Sequence, residues 1–298
     1  MKYTFSTIIA TTALLLAGNT FAQEKATVKA EVTKTDTAGK KKAGKALTIS
    51  NDGIYIGSTD SASLKKRKEK RFFSTFSMDL GFNFLQDNTN YNDPKVISYL
   101  SNVPAAKKNA QLFDLNQAKS INVNLYWLRA FKAIDAKKQK LIISSGLGLQ
   151  IYNFRYDNNI TYSKHPAAIT QDTIAFSKNK LALDYLNVPL MFTFKTKLHQ
   201  GASGKKSTWL VYSVGATAGF NISAWTKQKS DERGKVKMHD EFSFDKSLFD
   251  INKFNACLTG EIGIDDVIRF YGTYQLTSIY TNGIDQHPIS IGIKLVGI

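Results

Sequence analysis

The feature that most limits what this chain can become is a two-residue alternation within Lys140 to Asp157. Leu141, Ile143, Leu147, Leu149 and Ile151 share one parity, while Ser144, Gly146, Gly148 and Gln150 share the other. Successive side chains of a strand point to opposite faces, so this segment has one oily side and one tight polar side. The run before it, Ser120 to Ile134, repeats the pattern with Ile121, Val123, Leu125 and Trp127 against Asn122 and Asn124. Together they predict a hairpin whose strands, about ten residues each through the oily zone, cross a bilayer when tilted.

The same signature recurs along the chain. In Phe72 to Leu85, Phe76, Met78, Leu80, Phe82 and Phe84 oppose Ser77, Asp79, Gly81 and Asn83. Lys178 to Lys197 carries Leu186, Val188, Leu190, Phe192 and Phe194 on one face, and Pro189 within it predicts a local break. Thr208 to Thr226 alternates from Leu210 to Ile222, and further strands are expected at Ile251 to Ile264, Val267 to Tyr280 and His287 to Ile298. The last sets Ile289, Ile291, Ile293 and Leu295 against Ser290, Gly292 and Lys294. The three long connections, Gln86 to Lys119, Asn158 to Ser177 and Lys227 to Asp250, all fall at one end of such an arrangement. Asp93 and Pro94 in the first are placed to cap and start a short helix. The expected fold is therefore all-β, an eight-stranded antiparallel up-and-down transmembrane β-barrel, with long loops extracellular and short turns and both termini periplasmic.

Residues 1–22 read as a signal peptide: Lys2, an apolar core from Ile8 to Ala17, then Thr20-Phe21-Ala22 before Gln23, which sets cleavage between Ala22 and Gln23. Residues 23–71 form a flexible basic periplasmic leader, with a small hairpin expected over Ala46 to Ile56 about Asn51-Asp52-Gly53. Residues 72–298 form the barrel domain. Its entrance is marked by the basic run Lys65 to Arg71, which reads as a collar beside the membrane. Of the 40 Lys and Arg residues only Lys2 lies in the signal, so 39 face 24 acidic residues in the mature chain, a net charge of +15. For an exported protein, anionic lipid headgroups and lipopolysaccharide phosphates are the expected counter-charges, not nucleic acid. Cys257 is single, so it forms no internal disulfide and reads as a small packed residue.

With eight strands the interior is filled by its own side chains, and no open pore is expected. The inward positions include Asp79, Asn83, Gln150, Asn221, Glu261, Arg269, Gln275 and Lys294, and such charges must be paired where water is excluded. Aligning the apolar faces of the sixth and seventh strands about a turn centred on Asp265 places Glu261 opposite Arg269, which predicts an interior structural salt bridge between them. Among His165, His199, His239 and His287, only His239 has acidic neighbours, Asp240 and Glu241, and it is the candidate for an enzymatic reading. No histidine or cysteine spacing suggests a metal site, and no cofactor is expected. Gly201 to Ser207 looks like a phosphate loop, but its glycine spacing is wrong and no helix pattern follows, so it reads as a turn.

Four stretches resemble the Bacteroidota outer-membrane β-barrel proteins of the PorT-type porin family. They are Lys70-Arg71-Phe72-Phe73 running into Met78 to Leu85, Leu147 to Asn159, Tyr185 to Leu190, and Ile289 to Leu295. The likeness spans residues 70–298, and none of the motifs marks an active site. It implies an eight-stranded outer-membrane barrel, one branch of which is similar to proteins needed for secretion across that membrane. The chain departs from many such barrels by ending in Val296-Gly297-Ile298 instead of an aromatic residue. The leading expectation is a non-enzymatic, integral outer-membrane protein that binds lipopolysaccharide, an extracellular ligand, or an envelope or secretion-system partner. A lipid-modifying or proteolytic barrel enzyme using His239, and a secreted soluble barrel holding a lipid, are the alternatives.

Overall fold

The structure, a computed structural model, describes residues 28–31, 45–50, 53–58, 72–199, 207–240 and 247–296. The signal and its Ala22/Gln23 cleavage point, the basic run Lys65 to Arg71, Glu241 and Gly297-Ile298 lie outside the described residues, as does the Gly201 to Ser207 turn except for Ser207.

The chain divides into two compact units. In the smaller, strands β1 (Val28–Glu31), β2 (Lys45–Ser50) and β3 (Gly53–Ser58) form a sheet in the order β1-β2-β3. The neighbouring pair β2 and β3 flanks 51–52, where the hairpin was expected, and β1 is an addition to what that stretch predicted.

In the larger unit, β4 (Phe72–Asp87) is followed by helix α1 (Pro94–Tyr99), then β5 (Ile121–Asp135) and β6 (Gln139–Arg155). A small hairpin of β7 (Ile160–Lys164) and β8 (Ala167–Gln171) precedes β9 (Lys178–His199) and β10 (Thr208–Ser230). A short β11 (Gly234–His239) prolongs the hairpin from β10, and β12 (Phe254–Ile264), β13 (Ile268–Gln275) and β14 (Gln286–Val296) complete the chain. Every neighbouring pair is antiparallel, and the order β4-β5-β6-β9-β10-β12-β13-β14 returns to β4 through β14, so eight strands pair in a ring. The helix starts as expected: Asp93 accepts from the Lys95 backbone N–H at 2.8 Å, and Pro94, which has no N–H to satisfy, takes the first turn.

Pairing explains the strand lengths. The ladder between β6 and β9 lapses between Ser145↔Leu190 and Gly148↔Asn187, opposite Pro189, which lacks the donor the ladder needs. The break is confined to that edge, because Thr217↔Pro189 continues on the β10 side and β9 runs through. A bulge between Asn221 and Ser223 reverses parity in β10. Before it Ser213, Thr217 and Asn221 are buried; after it Ala224, Thr226, Gln228 and Ser230 are.

The two faces separate as the alternation requires. Leu80, Phe82, Trp127, Leu147, Val188, Leu190, Val214, Leu258 and Ile291 are exposed, with Trp127 at 56% and Ile291 at 54%. On the opposite parity Asp79, Asn83, Gln150, Asn221, Glu261, Arg269, Gln275 and Lys294 are all buried. The greasy side faces outward and the polar side faces the axis. Among the described residues no helix is long and apolar enough to cross a membrane.

Candidate functional site

The interior is a stack of polar contacts. Lys294 Nζ lies 2.8 Å from Glu261 Oε1 and 3.2 Å from Asp79 Oδ1, with its charge 5.1 Å from the centre of the Tyr126 ring. Asn124 donates to Asp79 Oδ2 at 3.4 Å. Nearby, the Tyr271 hydroxyl donates to Asn122 at 2.9 Å, Ser290 to Asn83 at 2.7 Å and Asn255 to Gln150 at 3.0 Å. Asn83 passes the chain on to the Ile121 carbonyl at 2.8 Å. The void beside Lys294 and Glu261 measures only about 10 Å³, at the limit of what holds one water. A Cβ at Gly148 would strike Asn187 and come within 2.6 Å of the Tyr126 ring, so glycine is what lets the strands close there.

The expected Glu261–Arg269 bridge is corrected. Glu261 pairs across the ladder with Tyr271, and Arg269 with Gly263. The hairpin turn is centred on Asp266, whose φ of 60° is a left-handed conformation that aspartate tolerates, not on Asp265. Moving the centre by one residue slides the pairing by two and carries Arg269 to the turn, where it donates to Asp265 at 2.7 Å. Lys195 pairs with the other oxygen of that carboxylate. Burial alone would raise the Asp265 carboxyl, but Lys195 and Arg269 together hold it below the usual range. Glu261 takes Lys294 instead, two strands along the same meander through β13, and ring closure between β14 and β4 adds Asp79 to that lysine.

At the other end, the long connections are not merely solvated. Val96 and Tyr99 of α1, Leu100 just after it, Leu112 and Phe113, Ile160 and Tyr162, Phe249, Ile279 and Ile284 join the tops of β6 and β9 in one buried cluster. Its centre is phenolic: Tyr162 bonds Tyr156 at 3.0 Å and Tyr280 at 2.6 Å, and Tyr99 donates to the Phe249 carbonyl at 3.0 Å. Burial pushes the Tyr99, Tyr162 and Tyr280 phenols well above their ordinary range, so they remain protonated donors. Asn179 and Gln228 each donate to the Ile160 carbonyl at 2.8 Å, which ties β7 to the strand tops. This cap was missed from sequence. Its signal was the apolar residues scattered at irregular spacing through the long connections.

Between β7 and the β10–β11 extension opens a cavity of about 390 Å³, walled by Tyr162, Phe176, Val236 and Met238, with Lys164 and Arg233 among its lining. Arg233 pairs with Asp172, locking the β7–β8 hairpin to the turn after β10.

His239 stands opposite Trp225, with ring centres 6.1 Å apart. Burial, then Lys237 and Lys164, hold its imidazolium below the ordinary range. Asp240 does not serve it: one oxygen accepts from the Leu248 N–H at 2.7 Å and the other lies 3.5 Å from Lys253 Nζ. His287 is fixed between the Gln275 carbonyl at 3.0 Å and Asp285 at 2.9 Å. Among the described residues no group of His, Cys, Asp and Glu is placed to hold a metal ion.

No family model matches the chain, and no curated protein matches it. Among solved structures it is similar to Ail, the attachment invasion locus protein of Yersinia pestis, at 9% identity and a TM-score of 0.24, over 74% of this chain and 97% of that one. The functional reading rests on the strand ring and its two faces, not on that likeness.

Proposed function

We propose that this chain is an integral outer-membrane β-barrel, eight-stranded, up-and-down and closed to ions, that serves as a non-enzymatic binding or structural protein of the cell envelope. The carrying observation is the outward belt. On β10 it runs from Tyr212 at 42% exposure to Ile222 at 36%, which at the usual strand rise and tilt is about 25 Å of apolar height, the thickness of an outer-membrane belt. A soluble protein rarely leaves so continuous an apolar surface to water, which disfavours a secreted lipid carrier. The buried Asp79–Lys294–Glu261 group disfavours it too, since a lipid cup needs an apolar interior.

The capped end, with its cavity, is the recognition face, and the short-turn end faces the periplasm. Lipopolysaccharide, an extracellular ligand, or an envelope or secretion-system protein would engage through the long connections of the capped end or through residues 23–71. An enzymatic reading through His239 has little to stand on, because Asp240 is committed to Lys253 and the Leu248 amide.

Two measurements test this. In cells the protein should fractionate with the outer membrane and migrate faster unheated than boiled, and in planar bilayers it should give no steady conductance. Migration that heat leaves unchanged, or stable single-channel openings, would reject the closed barrel.

A further inference from the structure

The upper outer surface of β6, β9, β10 and β11 carries an arrangement that ordinary sheet energetics disfavours. Arg155 pairs with Lys180, Lys180 with Lys227, and Lys227 with Lys237, so one cross-strand row is basic on four consecutive strands. Two residues along lies a second row, Lys178, Lys229 and Lys235. Directly paired residues share a face, and the parity after the β10 bulge turns this one away from the axis. Like charges set opposite one another across strands destabilise a sheet.

Among the described residues, no salt bridge joins any of these cations to a carboxylate. Asp184 lies in the field of Lys180 and Lys237 without pairing with them, and Asp231 and Glu232 belong to the exposed turn beyond the rows. Lys180 and Lys237 both stand over the Trp225 ring, at 4.3 and 4.4 Å from its centre. Burial, then Lys178 and Lys227, push the Lys180 amine down to about 8. An anion bound among these cations would offset the like-charge part of that shift.

Position decides which anion. On β9 the belt ends at Leu186, 47% exposed, and on β10 at Ile222. The Lys180–Lys227 row lies five or six residues farther on each strand, about 12 to 15 Å higher at the usual tilt. That height is beyond the acyl chains and level with the headgroups. Trp225 between belt and cations is the kind of residue that sits at this boundary. Adjacent strands are about 4.8 Å apart, so the four-cation row spans about 14 Å, room for more than one phosphate on a single amphiphile.

We infer that this face, resting on the outer-membrane reading above, is a docking site for the phosphate groups of lipopolysaccharide in the outer leaflet, with Lys180, Lys227 and Lys237 as its centre and Trp225 as its floor. The acyl chains of the bound lipid lie against Leu186, Val188 and Ile222 below.

The test uses the full-length protein in detergent, titrated with lipid A and with the same lipid A stripped of its phosphates, bound lipid being counted by native mass spectrometry. The wild type should bind the phosphorylated form at least tenfold more tightly. The Lys180→Gln, Lys227→Gln, Lys237→Gln variant should bind both forms equally, while Lys107→Gln, Lys108→Gln in the first long connection should leave the preference intact. A wild type indifferent to the phosphates, a triple variant that keeps the preference, or displacement of lipid A by equimolar inorganic phosphate would each overturn the proposal. Heat-modifiable migration of the same samples separates the two readings. If the wild type lacks it the barrel itself fails, whereas indifference to phosphate in a heat-modifiable wild type sinks this site alone, whether or not the triple variant folds.

Discussion

Taking the ammonium away from Lys294 would leave Asp79 and Glu261 buried without their shared cation. Lys294→Met should therefore destabilise the ring by about 3 to 5 kcal/mol, the usual consequence of orphaning one side of a buried ion pair. The readout is a lower temperature for loss of the compact band on a gel. A double-mutant cycle between Glu261 and Lys294 should give a coupling of at least 1 kcal/mol or so, and one between Glu261 and Arg269 close to none. Coupling of Glu261 to Arg269 instead would restore the register expected from sequence. At this scale parity was readable: Asp79, Asn83, Gln150 and Lys294 all face inward as their alternation demanded. Partner choice was not, because the place of Arg269 depends on one backbone angle at Asp266, and Asp79 meets Lys294 only through the pairing of the first and last strands.

Among the elements, the β7–β8 hairpin shows how the capped end is held. Burial alone would raise the Asp172 carboxyl, but the Ile174 amide and Arg233 hold it below the ordinary range. A carboxyl lowered in the folded state stabilises above its unfolded value, near 4, and loses that contribution as pH falls through its folded value. Protection of residues 160–172 from protease should thus hold from neutral pH down to about 4 and decline below it. Asp172→Asn should show the weakened protection already at pH 7, by no more than about fivefold, because Arg233 is half-exposed and such pairs are weak. Equal protection in variant and wild type at pH 7 would remove the pair from this role. The strands of the ring were legible because each repeats one period for many residues. The cap was not: Tyr99, Phe113, Tyr162 and Phe249 come from separate connections with no common period, and meet only once the ring has brought the loop bases together.

At the scale of the whole molecule, what matters is which solvent meets which face. Alternation made the outward belt readable, and the grouping of the three long connections at one end was readable too. The β10 bulge, which reverses faces just where the chain leaves the belt and so turns Lys227 and Lys229 outward beside Lys180 and Lys178, left no mark in the sequence pattern. The most direct measurement is spin labelling along β9 in membranes, on a Cys257→Ala background, with labels at residues 186, 188, 190 and 192 and at 187 and 191. The first four should be reached by oxygen and shielded from a water-soluble nickel complex, and the latter two should be reached by neither. Labels at 188 and 190 that relax in the nickel complex and not in oxygen would put water against the belt and contradict the account.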